Sequence, residues 1–256
     1  MNRLATHLLA KALCNAWTTG QSLSNKQAHQ LAPQSSEEAY LIQQQVAAQL
    51  NFFDGQRPTA WKVGGNRELS AATPIADAHT VSSPFTFDTS TAHNMLGIEA
   101  ELAVQLKAPL WAGSTRQEAQ EAIGHVVVAI ELCDVRAIGW PQLPPHFLLA
   151  DQQMNRCLVL GSGLAEGWQP QFAHSTASLS VNGTTLQEKQ SAHPLNDPLA
   201  LLPWLANHAE KQVGSGLAAG DWITTGAWLG IYEAKPGDTI VVSFSGIGEA
   251  RCVFSK

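Results

Sequence analysis

Gly97-Ile98-Glu99-Ala100-Glu101-Leu102-Ala103-Val104-Gln105-Leu106 alternates with a period of two, and the rest of the chain is read outward from it. As a strand it lines one face with Ile98, Ala100, Leu102, Val104 and Leu106, and projects Glu99 and Glu101 together from the other. Two carboxylates this close resist ionising together. A divalent cation removes that conflict, so the pair is a candidate metal site.

Upstream of this strand the spacing predicts helices. Leu4, Leu8, Leu9, Leu13, Ala16 and Trp17 recur at helical intervals, and Gly20 ends the run. Ser35-Ser36-Glu37-Glu38 has the form of a capping box. The helix it opens carries Ala39, Ile42, Val46 and Leu50 on its buried stripe and stops at Asn51 and Gly55.

From Ala60 onward short strands predominate. Ala60 to Gly64 is one, and the following segment, with Pro74, Pro84 and many Ser and Thr, reads as loop. Thr115-x-x-Glu118 caps a short helix closed by Gly124. The run from His125 to Asp134, with Val126-Val127-Val128-Ala129-Ile130, suits a central strand, and Cys157 to Gly161 repeats that character. Asn182-Gly183 between alternating segments signals a hairpin. Asp197-Pro198 predicts an N-cap and first helical residue for a helix bearing Leu201, Leu202, Leu205 and His208, with Gly214 after it. Strands at Trp222 to Thr225, Thr239 to Phe244 and Ala250 to Phe254 complete the chain. Helices first and strands later predict the α+β class, with a helical region at 1–59 and a β-rich region at 60–256.

Composition narrows the partners. Fifteen Lys and Arg against 21 Asp and Glu give a net charge of −6, with no basic stripe, which disfavours nucleic acid and anionic membranes. Mean hydropathy is −0.07, and no stretch is long and apolar enough to cross a bilayer. The N-terminal run is broken by His7 and Lys11, unlike a signal peptide. Cys14, Cys133, Cys157 and Cys252 show no C-x-x-C spacing and read as buried free thiols. A cytoplasmic location is expected.

Chemistry gathers on few residues. Glu131 is the lone charge in Val126-Val127-Val128-Ala129-Ile130-Glu131-Leu132-Cys133, and a buried carboxylate needs a cation or several donors. With Glu99 and Glu101 it makes three hard oxygen ligands, suited to Mg²⁺ or Mn²⁺ over zinc. Spacing alone favours the blander alternative of a solvated strand face and a buried ion pair. Lys62, in Trp61-Lys62-Val63-Gly64-Gly65, reads as a base or enolate-stabilising group, or as an edge-strand lysine. Gly64-Gly65 and Thr224-Thr225-Gly226 offer backbone N–H groups to an anion, or are ordinary turns. His125, His146 and His193 read as structural or exposed. No G-x-S-x-G elbow or phosphate-binding glycine loop occurs, which argues against serine hydrolases and nucleotide triphosphatases.

Taken in order, these segments resemble the 2-keto-4-pentenoate hydratase family of the fumarylacetoacetate hydrolase superfamily. The resemblance runs from Glu38-Ala39-Tyr40 through Trp61-Lys62-Val63-Gly64, Ile98-Glu99-Ala100-Glu101-Leu102, Ile130-Glu131-Leu132-Cys133-Asp134 and His193-Pro194-Leu195-Asn196. It closes with Ala219-Gly220-Asp221, Thr225-Gly226 and Lys235-Pro236-Gly237-Asp238. It reverses the preference at the three glutamates.

The resemblance implies a mixed β-roll or barrel-like core, a homo-oligomer, and a small 2-oxo acid chelated by Mg²⁺ or Mn²⁺ on Glu99, Glu101 and Glu131. It implies that water adds to 2-hydroxypenta-2,4-dienoate to give 4-hydroxy-2-oxopentanoate in aromatic-compound catabolism, with Lys62 assisting proton transfer and Thr225 near the substrate carboxylate. The chain departs from the family at Asp151-Gln152-Gln153-Met154-Asn155-Arg156, where small residues are usual, so Asn155 and Arg156 become candidate substrate contacts. It departs again at Gly65-Asn66-Arg67, at Ala227, and between Ala78 and Phe87, where an acidic stretch is expected. The altered substrate half leaves open a decarboxylase of 2-oxo-3-enedioates, an acylpyruvate C–C hydrolase, or a catalytically weak 2-oxo acid binder or scaffold.

Overall fold

A computed structural model describes residues 3–65, 68–172, 174–191 and 193–256; Asn66-Arg67 and Met1-Asn2 lie outside the described residues. The chain opens with helices α1 (Arg3–Thr19), α2 (Asn25–Leu31) and α3 (Ser36–Gln49). Strands β1 (Ala60–Gly65), β2 (Ser70–Ile75), β3 (Thr80–Ser82), β4 (Phe85–Phe87) and β5 (Gly97–Leu106) follow. Next come α4 (Arg116–Glu121), β6 (Ile123–Cys133), α5 (Pro145–Ala150), β7 (Asn155–Leu164) and α6 (Gln169–Phe172). The chain ends with β8 (Thr176–Val181), β9 (Thr184–Gln190), α7 (Leu202–Val213), β10 (Trp222–Thr224), β11 (Ile231–Glu233), β12 (Thr239–Phe244) and β13 (Gly248–Phe254).

Two sheets form. The larger runs β2-β1-β10-β5-β6-β7-β3, with β11 also paired to β5, and the smaller runs β4-β13-β12-β8-β9. The period-two alternation of β5 decides how they stack. Ile98, Ala100, Leu102, Val104 and Leu106 are all buried and pack with Leu179, Ile240, Val242 and Phe244 of the second sheet. The opposite face of β5, bearing Glu99, Glu101 and Ala103, therefore turns away from that sheet. Beside it Ala103, Val127, Ala129 and Leu158 make a small apolar cluster with Ala60 and Ile75. Helices α1 and α3 bury Leu9, Leu13, Ile42 and Val46 in a third cluster shared with Val135, Phe147 and Ala150, so helical and β-rich regions are packed on one another. The architecture is α+β.

Several local expectations change in the structure. Ser35 accepts from Glu38 N at 3.3 Å, but Glu38 Oε2 takes its bond from Gln34 N, so the capping box is only half formed. A complete box belongs to α2, on Ser24 and Gln27. The segment read as loop contains β2, which tolerates Pro74 because it is the edge of its sheet. Gly124 lies inside β6 and does not close α4. Asp197 makes a turn with Leu199 N at 3.0 Å and pairs with Arg116, so α7 starts only at Leu202, with Pro203 in its first turn. The Asn182-Gly183 hairpin forms with φ of 51° and 83°, the left-handed pair its two-residue turn requires.

Helix α7 also carries a pH-sensitive group. The His208 ring is buried 4.5 Å from Tyr40 and 4.8 Å from Trp204, and burial, helped by Lys211, lowers its pKa to about 4. The unfolded chain takes up this proton near pH 6.5 and the folded chain only near 4. Stability from this group is thus full above about pH 6.5 and lost as pH falls toward 4. Denaturant titrations at about pH 7.5 and about pH 5 should show His208→Gln losing about 2 kcal/mol less than wild type across that window. Equal losses in the two proteins would remove His208 from the account.

Candidate metal centre and cavity

Register assembles the acidic cluster. On β5 and β6, Glu99 stands directly opposite Glu131, and Glu101 opposite Ala129. Residues two apart share a face, so Glu99, Glu101, Glu131 and Cys133 lie together on the side turned from the second sheet. Their ligand atoms converge in part: one atom each from Glu99, Glu131 and Cys133 lies within 4.8 Å of the others. Glu101 is the next carboxylate along β5, and its Oε2 accepts from Gly226 N at 3.0 Å.

Lys62 arrives from β1 into the middle of this group. Its Nζ lies 2.8 Å from Glu131 Oε1 and 3.2 Å from Glu99 Oε2, and its side chain is 5% exposed, so it is a buried amine and not an edge-strand lysine. Burial works against the ammonium, but the carboxylates of Glu131, Glu99 and Glu101 outweigh it and hold Lys62 charged well above its ordinary value. Burial, then the neighbouring charges of Glu131 and Glu99, push Glu101 well above the usual carboxylate range. Burial raises Glu131 as well, against the pull of Lys62. One ammonium faces three carboxylates, which leaves two negative charges uncompensated when all are ionised.

These residues fit a hard divalent cation. Glu131 Oε2 is buried and takes no hydrogen bond from the protein, although its partner oxygen is bonded by Asn155 Nδ2 at 2.9 Å. An unpartnered buried carboxylate oxygen is costly, and a cation satisfies it. The donors are oxygens, which suits Mg²⁺ or Mn²⁺. Burial keeps the Cys133 thiol protonated, so it is a poor partner for either ion.

The cluster forms one wall of a cavity of about 250 Å³. Pro194, Leu195 and Leu201 supply apolar wall, and Gly64, Gln153 and Met154 close the side near β1. Thr225 and Gly226 belong to the segment between β10 and β11, both of which pair with β5. That arrangement lays the segment over Glu101. Gly226 has φ +106°, a conformation that lets its N–H reach the carboxylate. The Thr225 hydroxyl donates to Leu102 O at 2.8 Å. A larger cleft of about 560 Å³ lies between α3 and α7, but Arg57, its sole charged lining residue among those described, is committed to Asp221 at 2.6 Å.

Of the residues singled out from sequence, the structure brings Lys62, Glu99, Glu101 and Thr225 to the cavity, with Glu131 beneath. Asn155 holds Glu131 and does not line the cavity. Arg156, its neighbour on β7, points the other way and packs 5.0 Å from the Trp17 ring and 5.7 Å from Phe87. His193, read from sequence as structural or exposed, lines the cavity with Nε2 bonded to Thr225 O at 2.8 Å. A histidine–acid pair that sequence spacing hid also exists. His93 Nδ1 meets Asp134 at 3.0 Å, but its other nitrogen bonds Ala16 O and it stands outside the cavity.

Two stacked sheets with a lysine-centred acidic cluster on one face define an α+β protein with a candidate metal centre. The chain belongs to the fumarylacetoacetate hydrolase C-terminal family, whose model matches residues 54–255. It is 29% identical over 160 residues to a 2-keto-4-pentenoate hydratase of Burkholderia vietnamiensis, a match covering 62% of this chain and 60% of that one. It is 25% identical over 232 residues to a 2-oxo-hept-4-ene-1,7-dioate hydratase of Escherichia coli, covering 85% and 86%. The chain thus spans about 60% of the length of the hydratases it matches at 28–29% identity. Its fold is that of 4-oxalocrotonate decarboxylase from Pseudomonas putida, complexed with magnesium and adipate, at a TM-score of 0.87 and 23% identity over 99% of this chain and 98% of that one. No helix among the described residues is long and apolar enough to cross a membrane.

Proposed function

We propose that the protein is a metal-dependent hydratase that adds water to 2-hydroxypenta-2,4-dienoate and gives 4-hydroxy-2-oxopentanoate. The observation that carries this reading is the Lys62 ammonium seated among Glu99, Glu131 and Glu101 at one cavity. Relatives named as hydratases of 2-oxo-enoic acids support it. Glu99, Glu101 and Glu131 would hold Mg²⁺ or Mn²⁺. When bound, the ion supplies a Lewis acid that polarises the 2-oxo group and offsets the charge of an enolate.

The chain's own groups do the rest. Lys62 Nζ, charged and within hydrogen-bond distance of two carboxylates, holds and passes a proton beside the substrate's enol oxygen. Gly226 N and the Thr225 backbone fix the edge at which a substrate carboxylate would lie. Pro194, Leu195 and Leu201 exclude bulk water from the dienoate chain. Asn155 acts indirectly, by fixing the rotamer of Glu131. The four buried free thiols suit a reducing compartment such as the cytoplasm.

Purified protein with Mg²⁺ or Mn²⁺ should consume 2-hydroxypenta-2,4-dienoate in an ultraviolet assay and stop when the metal is chelated. Absence of turnover with metal demonstrably bound would sink the proposal.

A further inference from the structure

The turn between α5 and β7 is unusual. Gln152, Gln153 and Met154 all have left-handed backbones, with φ of 51°, 51° and 64°, a conformation that side chains other than glycine seldom adopt. The surroundings hold it firmly. Asp151 before it is locked to Arg136 by a 2.6 Å buried ion pair. Gln152 is tied to Thr73 Oγ1 at 2.8 Å and to Gln43 O at 3.3 Å, and Met154 O accepts from Asp134 N at 2.9 Å. The outcome of this bracing is that Gln153 is presented to the cavity.

Its carboxamide oxygen is left uncommitted. Gln153 Oε1 is buried and receives no hydrogen bond from the protein. Among the described residues, the other neutral polar side chains lining the cavity are engaged. Thr225 donates to Leu102 O, and His193 bonds Thr225 O. The position also has a meaning along β1. The Gln153 amide stands against Gly64, where an added Cβ would lie 3.1 Å from Nε2. Gly64 follows Lys62 by two residues on the same face, about 6–7 Å further along the strand. From C2 of an extended five-carbon 2-oxo acid to a hydroxyl on C4, plus one hydrogen bond, is about 6 Å.

Resting on the hydratase reading, we propose that Gln153 is the positioning residue for water, holding the attacking molecule and then the new 4-hydroxyl through Oε1. In the step it serves, the water oxygen bonds to C4 of 2-oxopent-3-enoate as the C3–C4 double bond opens, and the displaced proton ends on C3. The amide is neither base nor acid. It orients the oxygen that adds.

The test is calorimetric binding of 4-hydroxy-2-oxopentanoate and of 2-oxopentanoate, which differ only in that hydroxyl, with Mg²⁺ present. Wild type should bind the hydroxy acid about tenfold more tightly. Gln153→Met keeps the length and removes the amide, and should bind both acids with the affinity wild type has for 2-oxopentanoate. Gln153→Glu, which keeps an acceptor oxygen at the same reach, should restore the preference, whereas a merely structural role would not distinguish these variants. Hydration by Gln153→Met should fall about tenfold in kcat with KM little changed. Equal binding of the two acids by wild type, or a preference that survives in Gln153→Met, overturns this role and leaves the hydratase reading standing. Binding of neither acid overturns both.

Discussion

Replacing Lys62 by methionine is expected to lower turnover of 2-hydroxypenta-2,4-dienoate by about 100-fold or more, while Mn²⁺ binds as well as before or more tightly. The two effects go opposite ways for one physical reason. Lys62 Nζ sits 2.8 Å and 3.2 Å from oxygens of Glu131 and Glu99 and competes with a metal ion for their charge. Removing it deletes the proposed proton carrier but leaves three buried carboxylates facing one another, which increases the demand for a cation. The apo variant should therefore also unfold more readily than wild type, and added Mn²⁺ should restore much of the loss. Steady-state rates and Mn²⁺ titration on the same preparation make the check. Retained turnover would show that Lys62 only packs, and lost metal binding would show that it organises the ligands.

The second large effect concerns stability. Asp151→Ala should cost about 3–5 kcal/mol in denaturant unfolding, because it strands the Arg136 guanidinium in the interior. Both side chains of this pair are fully buried, and Asp151 also accepts from Arg136 N at 2.8 Å. Arg136 reaches on to Asn155 O at 3.3 Å and stacks 4.3 Å from the Trp17 ring, so its loss of partner would be felt in β7 and in α1. Replacing both charged residues with apolar ones of similar volume should cost less than the single change. A cost below about 1 kcal/mol for Asp151→Ala would contradict the account.

The parts of this fold that sequence discloses are those governed by periodicity. The alternation of β5 and the unbroken apolar run of β6 each specify a face, and from faces follow the stacked sheets and the shared side of Glu99, Glu101 and Glu131. What sequence hides is set by partners far along the chain. Strand β2 reads as loop because Pro74 and its Ser and Thr neighbours suit turns, and only the place at the sheet edge makes it a strand. The three-residue β11 exists because β5 offers it a ladder. Cys133 was legible in principle, since it follows Glu131 by two and shares its face. Arg156 shows the same rule in reverse. Beginning its strand at Cys157 hides the parity that, with Asn155 turned toward Glu131, sends Arg156 to the opposite side. His193 and Gln153 lie outside regular patterns, and only the cavity reveals them.

The central claim is that this cavity adds water to a 2-hydroxydienoate, and mass analysis of the product tests it most directly. With Mg²⁺ or Mn²⁺, 2-hydroxypenta-2,4-dienoate should be converted to a product heavier by one water, carrying the label of the solvent oxygen on C4. When 2-oxo-3-enedioates are offered instead, a product lighter by carbon dioxide, with no hydration of the five-carbon dienoate, would contradict the account and assign the site to decarboxylation.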